Sequence, residues 1–257
     1  MNDISNTKKV DILGVKVDRI RLDEVIFIIQ EAIQQKKRIL VSNVNIQAIN
    51  LACEQEWFRQ FLNSSDVVYC DGMGVLLGAR LLGYDIPERF TPADWVWTLV
   101  RLCSAQRYSI FLLGNPPGIV DAAADMLKEE FPELHIVGTH HGYFDKSKNS
   151  LENQFVIDLI NSKNPDILFV GFGMPIQEKW LSENWSQIQV NVAMPCGALF
   201  EYLSGNLKRG PRWMTDNYLE WLARVVISPA RYFKRYLRDI PLFTYRIIKR
   251  RISQVAK

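Results

Sequence analysis

The chain alternates short apolar runs with longer segments whose apolar residues recur at helical spacing, and this alternation restricts its fold more than any other feature. Two of the runs, Ile110–Leu113 and Ile167–Val170, are apolar throughout, as in strands that are covered on both faces. Strands that alternate with helices form βαβ units and a mostly parallel sheet. The sequence therefore predicts a Rossmann-like α/β fold, with a mostly parallel sheet and flanking helices.

The apolar runs define the predicted strands, and the periodic segments define the predicted helices. The strands are Val10–Val17, Arg38–Ser42, Val67–Cys70, Tyr108–Leu113, His135–Thr139, Asp166–Val170 and Gln189–Ala193. The helices between them are Leu22–Gln35, Ile46–Leu62, Met73–Leu82, Ala93–Ala105, Gly118–Phe131, Leu151–Ser162 and Pro175–Asn184. In such a sheet ligands bind at the carboxyl ends of the strands, so the loops that follow the strands are the candidate site.

Charge divides the chain near residue 208. The segment 208–257 holds 13 Lys and Arg residues against 3 Asp and Glu, whereas the preceding residues hold 18 against 25. The Val- and Ile-rich runs also stop there, so we predict an α/β domain over residues 1–207 and a basic helical appendage over 208–257. Such a basic segment indicates an anionic partner, which is a membrane surface, a nucleic acid or a phosphorylated substrate.

Part of this appendage has the pattern of a basic amphipathic helix. One helical face carries Phe233, Tyr236, Leu237 and Ile240. The opposite face, about 200° away, carries Arg231, Lys234, Arg235 and Arg238. The pattern fits a membrane-surface anchor and equally a helix docked on the body, and Pro241 is expected to break or kink it. No nucleic-acid-binding motif accompanies the charge, so we expect no nucleic-acid partner.

Several protein classes are disfavoured by what the sequence lacks. Residues 1–10 contain no apolar signal region, and no run of apolar residues is long enough to span a bilayer. His140 and His141 are adjacent and would point to opposite faces of a strand, so we expect no metal and no cofactor. The absence of a Walker loop and of a Gly-x-Ser-x-Gly elbow disfavours NTPases and hydrolases. The cysteines form no Cys-x-x-Cys pair, which fits a reducing cytoplasm: Cys53, Cys70, Cys103 and Cys196.

Glycine-containing or polar loops follow many of the predicted strands. They are Ser42–Asn45, Asp71–Gly74, Gly114–Pro117, Gly171–Pro175 and Cys196–Gly197. Glycine allows a ligand close to the backbone, and a helix that follows offers N–H groups to phosphate. Asp71 is either a capping aspartate or a general base, and Arg89 is either a surface residue or an anion clamp. The first turn at Gln177–Lys179 either binds a nucleotide or sugar or is an ordinary polar helix start.

Eight segments form a pattern in the order in which they occur along the chain: Ile12–Val15, Ser42–Asn45, Cys70–Gly74, Pro87–Arg89, Leu112–Gly114, Gly138–Phe144, Leu168–Trp180 and Leu219–Arg224. Together they resemble the WecG/TagA/CpsF family, glycosyltransferase family 26, and the resemblance spans about residues 10–240. It implies an inverting, metal-independent enzyme that moves an N-acetylmannosamine-type or related sugar from a UDP-sugar to a polyprenyl-diphosphate-linked saccharide. Such enzymes serve the synthesis of teichoic acid, enterobacterial common antigen or exopolysaccharide, which implies a cytoplasmic protein that is peripheral on the inner face of the plasma membrane.

The resemblance also implies roles for individual residues. Asp71 matches the proposed base, and Arg89 and Gln177 match further catalytic positions. The substrate-binding candidates, from the loops, the resemblance and the appendage, are Asn43, Asn45, Gly72, Asp94, Gly114, Gly171, Gly173, Glu178, Lys179, Gly197, Arg224 and Arg231.

The chain departs from the family's pattern at two positions: Asn43 replaces a usual threonine, and Pro92 replaces a usual glycine. Two other readings stay open at this point. One is a regulatory module that binds nucleotides or polyanions without catalysis. The other is an NAD-dependent oxidoreductase, for which the dinucleotide fingerprint is missing. A homo-oligomer also stays open.

Overall fold

The computed structural model describes residues 8–208, 210–211, 214 and 220–255, and a parallel sheet forms its centre. The strands of this sheet are β3 (Ile39–Val44), β4 (Val67–Cys70), β5 (Ser109–Gly114), β6 (His135–His140), β7 (Ile167–Gly171) and β8 (Val192–Pro195). Their order across the sheet is β4-β3-β8-β7-β5-β6, and each neighbouring pair is parallel. The predicted α/β fold class is confirmed.

Helices cover both faces of this sheet. The helices are α1 (Leu22–Gln34), α2 (Ile46–Glu54), α3 (Glu56–Ser64), α4 (Met73–Leu81), α5 (Pro92–Gln106), α6 (Ile119–Glu130), α7 (Leu151–Lys163), α8 (Ile176–Asn184), α9 (Leu199–Leu203), α10 (Glu220–Ile227) and α11 (Pro229–Val255). Along β5, Ile110 and Leu112 enter one apolar core, whereas Phe111 and Leu113 enter the other. Because side chains alternate between the faces of a strand, a run that is apolar throughout indicates a sheet buried on both sides.

Two predicted elements are wrong because each contains an unrecognised break. The predicted strand Val10–Val17 is an antiparallel hairpin of β1 (Lys9–Ile12) and β2 (Val15–Asp18). Its turn places Leu13 and Gly14 at φ values of 55° and 93°, in the left-handed region.

The predicted helix Ile46–Leu62 is likewise two helices, α2 and α3, because Gln55 between them is extended. Ile49 of α2 and Phe58 of α3 lie in the same apolar core on the two sides of this bend. The bend therefore lets both helices bury their apolar side chains against the sheet.

Of the break or kink expected at Pro241, the break is wrong, since α11 continues through this residue. A proline inside a helix costs about 3 kcal/mol. Tyr232 and Asp239 before the proline, and Phe243 and Ile247 after it, are all buried. Packing on both sides of Pro241 therefore holds the helix together.

The long helix α11 is docked on the body rather than detached from it. Gly78 of α4 provides room for this contact, because a Cβ atom there would lie 2.6 Å from Cζ of Phe243. On α2, the Asn50 side chain donates to the Asp239 carbonyl at 2.9 Å. Glu54 accepts from Arg238 at 3.0 Å and from Arg246 at 3.1 Å. Part of the basic charge of the appendage is thus paired with the body.

Candidate active site

Three cavities adjoin one another at the carboxyl edge of the sheet. Residues lining the outer cavity, of about 700 Å³, include Asn115, Lys146, Phe172, Gly173, Gly197 and Glu201. Those lining the central cavity, of about 250 Å³, include Asn43, Asp71, Gly173, Gln177, Gly197 and Tyr202. Those lining the apolar cavity, of about 420 Å³, include Ile46, Asp71, Met73, Leu77, Arg89 and Trp221. This is the edge at which parallel α/β sheets bind ligands.

Asp71 lines both the central and the apolar cavity. It directly follows β4, and its backbone N–H donates to the Val44 carbonyl at 2.9 Å. The next residue, Gly72, caps the N-terminus of α4. Asp71 is therefore fixed where two cavities meet, and its carboxylate can act on groups bound in either of them.

Arginine side chains surround the same region. Arg224 and Arg235 line both the central and the apolar cavity, and Arg89 lines the apolar cavity. The Arg235 guanidinium lies 5.5 Å from the ring centroid of Tyr236 and 3.9 Å from the Asp239 carboxylate. Arg231 belongs to α11, but its side chain lies outside the described part of the structure. Guanidinium groups in this arrangement can bind a diphosphate.

The thiols close to Asp71 are poor nucleophiles. Burial raises the pKa of Cys70 to about 12. Burial also raises the pKa of Cys196, which lines the central cavity. Because the thiolate is the reactive form of cysteine, both side chains stay protonated and unreactive near neutral pH.

Gln177 and Glu178 lie beneath the loops of the central cavity, and both are buried. The Gln177 Oε1 atom accepts from the backbone N–H groups of Gly173 and Gly197, each at 3.1 Å. Its Nε2 atom donates to Glu178 Oε1 at 2.9 Å. Burial raises the pKa of the Glu178 carboxyl to about 7, although the hydrogen bond from Gln177 acts in the opposite direction. The Gln177 amide is thus engaged by the protein itself.

Asn43 and Asn45 line the central cavity and also have structural contacts. The Asn43 amide donates to the Pro195 carbonyl at 3.2 Å and so connects β3 with the end of β8. The Asn45 side chain accepts from the Ala48 N–H at 3.1 Å and caps α2. Both residues hold the loop after β3 in place at the cavity wall.

Some other candidates stabilise the fold, a role that the sequence alone does not distinguish from ligand binding. Asp94 accepts from the Thr91 hydroxyl at 2.9 Å and from the Thr91 N–H at 3.0 Å, which closes the start of α5. Gly114 pairs with Gly171, and a Cβ atom on Gly114 would lie 2.4 Å from the Gly171 carbonyl oxygen. Lys179 is exposed and lies 4.0 Å from Glu183, one turn along α8. Among these residues, Gly171 lines the outer cavity.

The outer cavity combines aromatic rings, carboxylates and a lysine. The Lys146 ammonium lies 4.5 Å from the Phe144 ring centroid and 4.7 Å from that of Phe172. Burial lowers the pKa of Lys146. The carboxylates of Glu152 and Glu201 line the same cavity. Flat rings together with hydrogen-bond acceptors suit a nucleoside, whose base stacks and whose ribose donates hydroxyls.

Sequence reasoning did not assign a site role to Arg235, Tyr202 or Lys146. The helical spacing showed that Arg235 belongs to a basic face, but only the docking of α11 shows that this arginine reaches a cavity. Nothing in the sequence around Tyr202 or Lys146 signals a site. Among the described residues, no group of three or more His, Cys, Asp or Glu side chains is arranged to hold a metal ion.

Comparison with known proteins adds independent information. The family model described as "Glycosyl transferase WecG/TagA/CpsF family" matches residues 10–257. A relative from Staphylococcus aureus strain NCTC 8325 / PS 47 is 30% identical over 247 residues, which make up 95% of this chain and 94% of the relative. Relatives from strains MW2 and MRSA252 are 29% identical over the same length. All three are named N-acetylglucosaminyldiphosphoundecaprenol N-acetyl-beta-D-mannosaminyltransferase.

The family match covers both the α/β body and the C-terminal helices, including the residues that line the central and apolar cavities. It agrees with the resemblance carried by the sequence motifs. The chain therefore belongs to the WecG/TagA/CpsF family and is a glycosyltransferase.

Proposed function

We propose that this glycosyltransferase moves an N-acetylmannosamine-type sugar from a UDP-sugar to a saccharide linked to polyprenyl diphosphate, with inversion and without a metal ion. The observation that carries the proposal is the position of Asp71 between the central and apolar cavities, with arginines lining both. The relatives' name supplies the sugar and the type of acceptor. The segment 208–257, as far as it is described, would complete the site by contributing Arg224 and Arg235.

The cavities suggest how the two substrates lie. The uridine would occupy the outer cavity, and the sugar would lie in the central cavity, beyond the turns at Gly173 and Gly197 that line both. The acceptor would enter through the apolar cavity, where Leu77 and Trp221 suit an isoprenoid chain and Arg89 suits its diphosphate. Each part of each substrate then meets side chains of matching chemistry.

The reaction in this arrangement is a single displacement. The Asp71 carboxylate accepts the proton of the acceptor hydroxyl as its oxygen bonds to the anomeric carbon of the sugar. The bond between that carbon and the phosphate oxygen breaks, and its electron pair leaves with UDP. Attack from the face opposite to UDP inverts the anomeric centre. Arg224 and Arg235 stabilise the negative charge that develops on the departing diphosphate.

A donor screen tests this function directly. The full chain is incubated with a short-chain polyprenyl-diphosphate N-acetylglucosamine and one UDP-sugar at a time, and products are identified by mass. We expect transfer from UDP-N-acetylmannosamine, and activity within about twofold of the untreated enzyme after addition of EDTA, because arginines supply the positive charge. Loss of activity on chelation would contradict the metal-free mechanism. Transfer from none of the UDP-sugars, with stabilisation by RNA or NAD instead, would contradict the function.

We further propose that the enzyme binds the cytoplasmic face of the membrane through α4 and α11. Leu77 and Leu81 of α4 are exposed, and so are Leu237, Ile248 and Ile252 along one stripe of α11. Basic residues accompany them: Arg80, Lys234, Lys249, Arg250 and Arg251. Exposed apolar side chains beside basic groups are typical of surfaces that bind anionic lipid. No helix in the described part of the chain combines the length and apolar character needed to cross a bilayer.

Replacing both Leu237 and Ile248 with glutamate is expected to weaken binding to vesicles of phosphatidylcholine and phosphatidylglycerol by about tenfold or more, because apolar contact is lost and negative charge is added. Co-sedimentation measures the effect. Phe155→Glu on α7 is the matched control, since Phe155 is equally exposed but lies on another helix. Equal sedimentation of the double variant and the parent would exclude this surface as the membrane contact.

A further inference from the structure

Two buried side chains on α8 hold two loops of the sheet together. Gln177 Oε1 accepts from the N–H groups of Gly173, after β7, and Gly197, after β8. A carbonyl oxygen has two lone pairs, so these two bonds use its accepting capacity. Backbone N–H groups can only donate, which fixes the orientation of the amide. The Nε2 atom must then face Glu178, whose Oε1 accepts from it at 2.9 Å.

The two glycines form the wall between the outer and central cavities. Of the described residues, Gly173 and Gly197 are the two that line both cavities. Their φ values are 81° and 57°, so each turn has a left-handed conformation that side chains other than glycine rarely adopt. A Cβ atom on either residue would meet nothing within 4 Å. Backbone conformation, and not lack of space, is therefore what glycine provides here.

We propose that Gln177 and Glu178 are a positioning pair that sets the shape of this wall and acts through the backbone of the two glycine turns. The inference rests on the proposed function, because a UDP-sugar that spans both cavities must cross the two glycine turns. Glu178 orients the Gln177 amide, and the amide fixes Gly173 against Gly197. The place where the UDP-sugar crosses these turns then determines where its anomeric carbon lies relative to Asp71. Misplacement of reacting atoms by about 1 Å can lower a rate about 100-fold, so a distant clamp can control turnover.

This role differs from the catalytic role that the family resemblance implies for Gln177. A side chain that contacts the sugar must offer a polar atom to it. The Gln177 oxygen is already bonded twice and one N–H donates to Glu178, so such a contact would have to use the second N–H of the amide. The two roles make opposite predictions for an exchange of the two residues. In the double variant Gln177→Glu with Glu178→Gln, a carboxylate at position 177 can accept from both glycines and from the new amide at 178. Charge and hydrogen bonding are conserved, but the amide at position 177 is lost.

The test measures kcat and KM for the UDP-sugar in the full chain. Gln177→Met removes the oxygen that accepts from both glycines, and we expect kcat to fall about 100-fold or more. The exchange variant is expected to recover to within about tenfold of the parent, because the bonding pattern returns. Glu178→Gln, which keeps an accepting oxygen, is expected to stay within about threefold. Glu183→Gln, at a half-buried position of the same helix that pairs with the exposed Lys179, is the matched control and should equal the parent.

A second measurement separates positioning from general damage to the fold. Glu178→Met removes the acceptor for the amide, and we expect kcat with the UDP-sugar to fall about tenfold or more. Binding of UMP, which is too short to cross the wall, should stay within about threefold by calorimetry, whereas a general structural defect would weaken it too. Thermal unfolding confirms that each variant is folded.

The outcomes are distinct. A parent that transfers no sugar overturns the proposed function and this inference with it. An active parent whose folded exchange variant is no better than Gln177→Met overturns the inference alone, because the amide itself would then be required at position 177. Unchanged kcat in Glu178→Met would overturn it as well.

Discussion

Asp71→Asn is expected to lower kcat by about three orders of magnitude, since general-base catalysis contributes about 100- to 10,000-fold. Asparagine keeps the size of the side chain and one accepting oxygen but cannot take up the proton of the acceptor hydroxyl. The backbone bond from Asp71 to Val44 does not involve the side chain and should remain. The fold and the KM for the UDP-sugar should therefore change little. Steady-state kinetics with the lipid-linked acceptor measures the effect.

Asp85→Asn is the control for this substitution. Asp85 is exposed and forms an ion pair with Arg19 at 3.2 Å, so it has the same chemistry outside the cavities. Loss of such a surface pair costs little, and the control should equal the parent. An Asp71→Asn variant with the kcat of the parent would show that the base is another group.

The fold was largely predictable because its strands are buried on both faces. A run that is apolar throughout, such as Ile167–Val170, indicates a sheet that is covered on both faces, and the structure confirms that both faces are buried. The error at Leu13–Gly14 is a missed hairpin turn with left-handed backbone, whereas the errors at Gln55 and Pro241 share another cause. Each depends on whether tertiary packing stabilises a bend or a straight helix, which local spacing does not encode.

The sequence predicts those parts of the site that lie in loops directly after strands of the sheet. Asp71 and Gly173 lie in loops after strands, and parallel strands bring such loops to one edge. Asn45 and Asp94 show the limit, because the residue types that bind sugars also cap helices. Arg235 shows another limit, since its place in a cavity depends on how α11 docks on α2 and α4.

Arg224→Ala and Arg235→Ala are each expected to lower kcat by about 100-fold, the effect of removing one donor to a developing negative charge. Both residues line the central and apolar cavities, where the diphosphate would depart. Arg235→Lys should recover only part of the rate, because lysine lacks the planar pair of donors that matches phosphate oxygens. The double alanine variant should lose less than the product of the two effects, since both groups act on the same charge.

The control must separate lost charge from lost docking of α11. Arg238→Ala serves this purpose, because Arg238 lies on the same helix and bonds to Glu54 at 3.0 Å but does not line the central or the apolar cavity. We expect it to reduce kcat by less than about threefold, as for an exposed ion pair. If it reduced kcat as much as Arg235→Ala, the helix position and not the guanidinium would be responsible. If Arg224→Ala and Arg235→Ala both kept the kcat of the parent, the appendage would not take part in the chemistry.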